Sequence, residues 1–203
     1  LSAVAVSTAT AGDAKPAPAQ VRQELVVLLT AHQAHTMPRL RSGSLGVVPA
    51  NAPITDARTV LPVLARRGTW LKVRLPGRPN SHTGWIKRGK TLASSTRWRL
   101  SVSTGHRLVT VFLSGHVVRT FKAVVGKSST PTPTGQFFVE ESIALRSYDV
   151  GAPFALALSA RSSVLQEFDG GPGQIALHGL SNVGGTPGTA ESHGCVRLDD
   201  SAM

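Results

Sequence analysis

The sequence predicts a mainly β protein built from two modules. Short apolar runs alternate with turn signals between residues 59 and 92. A second Val/Thr/Phe-rich pattern starts at Trp98. Twenty Gly and thirteen Pro supply turns, while only 5% of residues are aromatic, so Val, Leu and Ala must build the core. The 203 residues suffice for one medium domain or two small ones, and 41% hydrophobic content is too high for a disordered chain.

Taken in order, Leu1 to Ala11 reads LSAVAVSTATA, small and weakly apolar. Ala9-Thr10-Ala11 is a small-x-small pattern that suits signal-peptidase cleavage, so this stretch is expected to be the tail of a signal or anchor, and the protein to be exported. Lys15 to Gln20, KPAPAQ, reads as a Pro/Ala spacer. From Val21 to Ala34 the apolar residues Leu25, Val26, Leu28, Leu29 and Ala31 suit a short amphipathic helix. A polar stretch follows to about Thr55. In Trp70-Leu71-Lys72-Val73-Arg74-Leu75, the apolar Leu71, Val73 and Leu75 alternate with basic residues, which predicts a half-buried strand with Lys72 and Arg74 in solvent. Gly84-Trp85-Ile86 begins another strand. Several short strands in this space suggest a small barrel over about 59–92, and the spacing of WLKVRL and TGWIK resembles bacterial SH3-like cell-wall modules.

Beyond Trp98, Ser101–Leu113 and Val117–Val125 flank the hairpin signal Ser114-Gly115. The loop Thr130-Pro131-Thr132-Pro133-Thr134-Gly135 cannot be a central strand, because Pro lacks the ladder donor. It leads into the strand Gln136–Glu140. Gly170-Gly171-Pro172-Gly173 then leads into Gln174–His178, placing His178 at a strand end.

The net charge is +11 and unevenly spread: fourteen Lys or Arg and no acid lie between Leu61 and Lys127, whereas eight of eleven acids lie at or after Glu140. Such a basic region can hold an anionic polymer, whether nucleic acid, acidic lipid or acidic cell wall, or can simply be a solvated surface. No run of eighteen apolar residues occurs, so this chain holds no integral membrane helix.

One cysteine, Cys195, cannot form an intrachain disulfide. It lies in Ser192-His193-Gly194-Cys195-Val196-Arg197. Gly194 leaves bare backbone beside the thiol, where amide N–H groups could meet a substrate carbonyl. His178 lies seventeen residues upstream, across a Gly- and Ser-rich loop, and could supply a base. Arg197 shares the Cys195 face if the segment is extended, and would there favour the thiolate and hold a carboxylate. Spacing leaves three readings open: a nucleophile, an inert buried thiol, or a zinc site with His178 and His193, although H-x14-H-x-C matches no common structural zinc pattern.

IALHG followed by ESHGCVRL resembles the signature of the L,D-transpeptidases, cysteine enzymes that cross-link bacterial peptidoglycan. The hairpin LVTVFLSGHVVRTFKAVVG and the segment VGKSSTPTPTGQFFVEE agree with it, so the resemblance covers Trp98 to Met203. It implies a β-sandwich-like catalytic domain with no metal or organic cofactor. It implies that Cys195 is the acylated nucleophile, His178 its general base, and Gly179 the residue whose carbonyl orients the imidazole. The N–H groups around Gly194 and Cys195 match the oxyanion hole; Ser192, His193 and Arg197 match positions that shape the site or bind substrate. The family pattern continues through a helix and closing strands, so the domain is expected to run past Met203, with Asp199-Asp200-Ser201 opening that helix.

The expected division is therefore a signal or anchor remnant and spacer over 1–20, an N-terminal module over 21–97 and a catalytic domain over 98–203. The expected partners are peptidoglycan stem peptides and an anionic wall polymer rather than nucleic acid, with carbapenem-type inhibitors possible. Cleavage of the diaminopimelate–D-Ala bond would precede formation of 3→3 cross-links outside the cytoplasmic membrane. Hydrolysis of the same thioester, an L,D-carboxypeptidase, and a non-catalytic wall-binding protein are the rival expectations.

Overall fold

A computed structural model describes residues 4–9, 21–168 and 170–203. The spacer Lys15–Gln20 and the Thr10-Ala11 part of the cleavage pattern lie outside the described residues. The described chain is mainly β, with two large sheets.

The first sheet has eight strands. They are β1 (Ala5–Ala9), β9 (Trp98–Ser103), β10 (Leu108–Leu113), β11 (His116–Lys122), β13 (Gly135–Ala144), β14 (Phe154–Arg161), β15 (Gln174–His178) and β17 (Val196–Arg197). Their order is β11-β10-β9-β1-β13-β14-β15-β17. The second sheet runs β4-β3-β7-β6-β5-β2-β8, from β2 (Gln23–Leu28), β3 (His32–His35), β4 (Ser44–Val48), β5 (Val60–Arg67), β6 (Trp70–Arg74), β7 (Thr83–Lys87) and β8 (Thr91–Thr96). A short parallel pair, β12 (Val125–Gly126) with β16 (Ala190–Ser192), leads up to Cys195.

Each sheet has its own core. Val6, Val102, Val109, Phe137, Leu158, Ile175, Leu177 and Val196 fill the first; Leu25, Leu28, Leu61, Val73 and Ile86 fill the second. The two cores meet at β13. Side chains alternate across a strand, so Phe137 enters the first core while its neighbour Phe138 enters the second, each 2% exposed or less. Burying a Phe contributes about 1.5–3 kcal/mol, so Phe138 ties the modules by packing as well as by connectivity.

Polar contacts reinforce that junction. The buried Glu141 carboxylate accepts from the Thr55 N–H (2.7 Å) and hydroxyl (2.8 Å) and from the Ile54 N–H. Asn80, in the β6–β7 loop, accepts from the Arg161 N–H (2.8 Å) and donates to its carbonyl (2.7 Å). Ser81 makes the same two-way exchange with Gln136.

Two expectations are corrected. Val21–Ala34 is not a helix: β2 and β3 are joined by a turn near Thr30. The Leu25/Leu28/Leu29 spacing fits a helix, but Val26 and Val27 are β-branched, and the strand pairs with β5 and β8 on both sides. Ala5–Ala9, expected in a signal or anchor remnant, forms a strand between β9 and β13, with Val6 fully buried. Where Asp199-Asp200-Ser201 was expected to open a helix, a 3-10 turn does start, at Asp200–Ala202, although Asp199 makes no side-chain capping bond. The strands expected over 59–92 are real, but they belong to a larger unit that also takes in Gln23–Val48.

Candidate active site

His178 ends β15 and Arg197 ends β17. The two strands are parallel, with Leu177 opposite Val196 and His178 opposite Arg197. This register brings the His and Cys motifs together across the sheet edge. His178, His193, Cys195 and Arg197 all line one cleft of about 550 Å³, together with Glu191 and residues from the β14–β15 loop.

The His178 ring is fixed from behind. Its Nδ1 lies 2.8 Å from the Gly179 carbonyl. A carbonyl only accepts, so Nδ1 carries the proton and Nε2 keeps its lone pair. Gly179 has no room for a side chain: a Cβ would strike the Ala152 carbonyl and the Asp200 carboxylate. Gly151, at φ +83°, packs its backbone against the ring, where a Cβ would meet Nδ1 at 2.5 Å. Asp200 secures the following loop by accepting from the Leu180 N–H (2.6 Å), the Ser181 N–H (3.1 Å) and the Ser181 hydroxyl (2.5 Å).

Burial lowers the His178 pKa, helped by the charge of Arg197 and opposed by the Gly179 hydrogen bond. Burial pushes the Cys195 thiol up, against the lowering effects of the Ala176 backbone and Arg197. Both shifts favour the neutral form. Arg197 favours the thiolate, as its position after the cysteine suggested, but burial outweighs it and the thiol form is favoured. A neutral imidazole with Nε2 free can accept a thiol proton as attack proceeds.

Arg197 does reach the cleft. Its Nη1 donates to the Gly184 carbonyl at 3.1 Å, while its buried Nε has no partner among the described residues. Neither Asp199 nor Asp200 pairs with it. His193 is exposed and stacks on Phe168, with centroids 5.7 Å apart.

Two expected roles change. Ser192 is fully buried and does not line the cleft. Its hydroxyl donates to the Cys195 carbonyl (2.6 Å) and accepts from the Gly194 N–H (3.1 Å), so it shapes the turn rather than touching substrate. The Gly194 N–H is therefore already used. Gly194 itself is needed for its φ of +124°, and a Cβ there would press on Ile175 at 3.0 Å. Among the described residues, no group of three or more His, Cys, Asp or Glu is placed to hold a metal ion.

Sequence reading missed the residues that brace the Cys195 turn. Thr132 accepts from the Gly126 N–H (2.9 Å) and donates to the Gly194 carbonyl (2.8 Å); Thr130 donates to the Ser192 carbonyl (3.2 Å). Both threonines are buried. The TPTP alternation marks a loop but does not reveal a partner sixty residues away. Thr132→Val should strand two buried backbone groups, costing about 1–3 kcal/mol for each. A lowered melting temperature with slower acylation checks this; an unchanged value of both would remove the bracing role.

A family model described as the YkuD L,D-transpeptidase catalytic domain matches residues 97–203. YkuD of Bacillus subtilis (strain 168) is 31% identical over 104 residues, which cover 50% of this chain and 53% of that protein. L,D-transpeptidase 1 of Mycobacterium tuberculosis is 26% identical over 193 residues, covering 75% of this chain and 69% of that one. An L,D-transpeptidase structure from Mycobacterium smegmatis aligns with a TM-score of 0.38 at 19% identity, over 75% of this chain and 87% of that one. The chain spans about half the length of its Bacillus relative. It belongs to the YkuD L,D-transpeptidase family.

Proposed function

We propose that the protein is a peptidoglycan L,D-transpeptidase working through a Cys195 thioester. The observation that carries this reading is the β15–β17 register, which joins His178 and Cys195 at one cleft in a chain of this family. Cys195 Sγ attacks the carbonyl between diaminopimelate and the terminal D-Ala of a tetrapeptide stem, and its proton passes to His178 Nε2. The C–N bond breaks as that proton moves to the leaving D-Ala amine. An amine of a second stem then attacks the thioester, His178 takes its excess proton and passes it to the departing sulfur, and Cys195 leaves as the thiol. The result is a 3→3 cross-link.

With the Gly194 N–H bound to Ser192, the Cys195 N–H is the remaining donor of that pair for the oxyanion. The Arg197 guanidinium suits a stem carboxylate, since one of its buried nitrogens lacks a partner. Incubation with a tetrapeptide stem tests the reading. A cross-linked dimer supports it; tripeptide alone makes the protein an L,D-carboxypeptidase; neither product, with no carbapenem adduct on the intact protein, overturns the thioester mechanism.

The N-terminal sheet is the proposed wall contact, and export to the cell wall goes with it. Lys87 and Arg88 are exposed and Lys72 half-exposed, whereas Arg74 braces the Ser81 carbonyl at 3.1 Å and is not a free charge. Replacing Lys72, Lys87 and Arg88 by Gln should weaken binding to insoluble peptidoglycan and flatten its salt dependence, because exposed charges are screened within about 8 Å at physiological salt. Wall binding by the parent that ignores salt would remove the charge argument.

A further inference from the structure

The wall of the cleft is not held by the catalytic sheet alone. Strands β14 and β15 are joined by residues 162–173, and Ser162, Leu165, Phe168 and Gly173 from this connection line the cleft. The strand it feeds ends in His178. Its two feet are closed by one backbone bond, from the Ser162 N–H to the Gly173 carbonyl at 2.7 Å. The Ser162 hydroxyl turns the first foot by accepting from the Val164 and Leu165 N–H groups.

Three carbonyls of this connection are bound from the other module. Arg78, in the β6–β7 loop, donates through Nη2 to the Ser162 carbonyl (2.9 Å) and the Leu165 carbonyl (3.2 Å), and through Nη1 to the Pro172 carbonyl (2.9 Å). One planar guanidinium thus spans both feet, a geometry that a lysine ammonium cannot copy. Arg78 is itself well anchored. Two residues on, Asn80 is bound both ways to Arg161, and the next residue, Ser81, both ways to Gln136. The Arg74 guanidinium holds the Ser81 carbonyl from below.

We propose that Arg78 is a positioning residue for the cleft: the N-terminal module, through this guanidinium, sets the 162–173 connection against which substrate binds. It touches neither Cys195 nor His178 and acts only through the main chain it holds. On this account the N-terminal module shapes substrate affinity for even a small soluble stem, apart from any contact with polymeric wall. The kinetic half of this inference rests on the transpeptidase reading above; the structural half does not.

The test uses the full chain and two variants, Arg78→Ala and Arg78→Lys. Amide hydrogen exchange at Val164 and Leu165 reports the foot directly, with no need for turnover. Arg78→Ala should lose protection there while strands β2 and β5 keep theirs. With the tetrapeptide stem, KM should rise roughly 5- to 30-fold, the effect of one or two such charged hydrogen bonds, with kcat changed less. Arg78→Lys should recover only part of both effects. Alkylation of Cys195 by a small neutral reagent should proceed at the parent rate, since that reaction needs only thiolate and access. Unchanged exchange at Val164 and Leu165 overturns the proposal whatever the kinetics. Lost protection with a parent-like KM overturns it as well, leaving Arg78 a surface staple. If the parent neither cleaves the stem nor takes a carbapenem, the transpeptidase reading fails instead, and hydrogen exchange alone decides whether Arg78 holds the connection. Should Arg78→Ala unfold, the same readings on Arg78→Lys carry the decision.

Discussion

Cys195→Ser should leave a folded protein that no longer acylates. The swap changes one atom in a partly buried side chain, and the turn around it is held by Ser192, Thr130 and Thr132, none of which bonds to the thiol. The expected effect is therefore chemical. A hydroxyl is far harder to deprotonate than a thiol, and His178 is held neutral by burial, so no fixed imidazolium assists the change. Loss of a nucleophile in an enzyme of this kind costs on the order of 10⁴-fold or more. Intact-protein mass after carbapenem exposure, with melting temperature as control, checks the result. Near-native adduct formation on the serine variant would end the thiol mechanism.

His178→Ala should slow acylation by roughly 10²–10⁴-fold, the usual contribution of a positioned base. The pH profile of the parent adds an independent check. Because the His178 pKa is lowered, the ring stays neutral further into acid than an ordinary histidine. The acid limb of acylation should then lie below the ordinary imidazole range. Because the thiol is pushed up, alkylation by a small neutral reagent should be slow near neutrality and climb only above the ordinary thiol range. A thiolate already present at neutral pH would contradict the direction given for Cys195. An unchanged acylation rate in His178→Ala would pass the base role to His193, which lines the same cleft.

Much of this site was legible because its chemistry is written in short, local patterns. SHGCVR with an upstream HG points to Cys195, His178 and Gly179, and the structure puts the Gly179 carbonyl 2.8 Å from the His178 ring. The alternation in Trp70–Arg74 gave β6 directly, because one buried face leaves a period of two. What stayed hidden depends on partners distant in sequence. Thr130 and Thr132 look like ordinary loop residues until the Cys195 turn folds over them. Ser192 looks like a substrate contact until its hydroxyl is seen closing its own turn. Arg78 is one basic residue among fourteen in its region, and nothing local marks it as the one that faces three carbonyls. Val21–Ala34 failed for the same reason: helix spacing was present, but hydrogen bonding to Leu61 and Ala93 on either side decided the backbone.

The place of Ala5–Ala9 bears on how the chain can be assembled. This strand runs parallel to β9, Ala5 against Arg99, and antiparallel to β13, Ala5 against Phe138. The whole N-terminal sheet is thus threaded between two neighbours of one ladder. In vectorial synthesis the first strand emerges about ninety residues before either partner exists, and the N-terminal sheet can close while that strand waits unpaired. Loop closure over such a span raises the contact order and slows nucleation of the eight-stranded sheet. A fragment cut at residue 97, where family likeness begins, would lose a strand from the middle of its ladder and expose two raw edges, β9 and β13. Such a fragment is expected to aggregate, so the unit of folding is wider than the span of the family-model match.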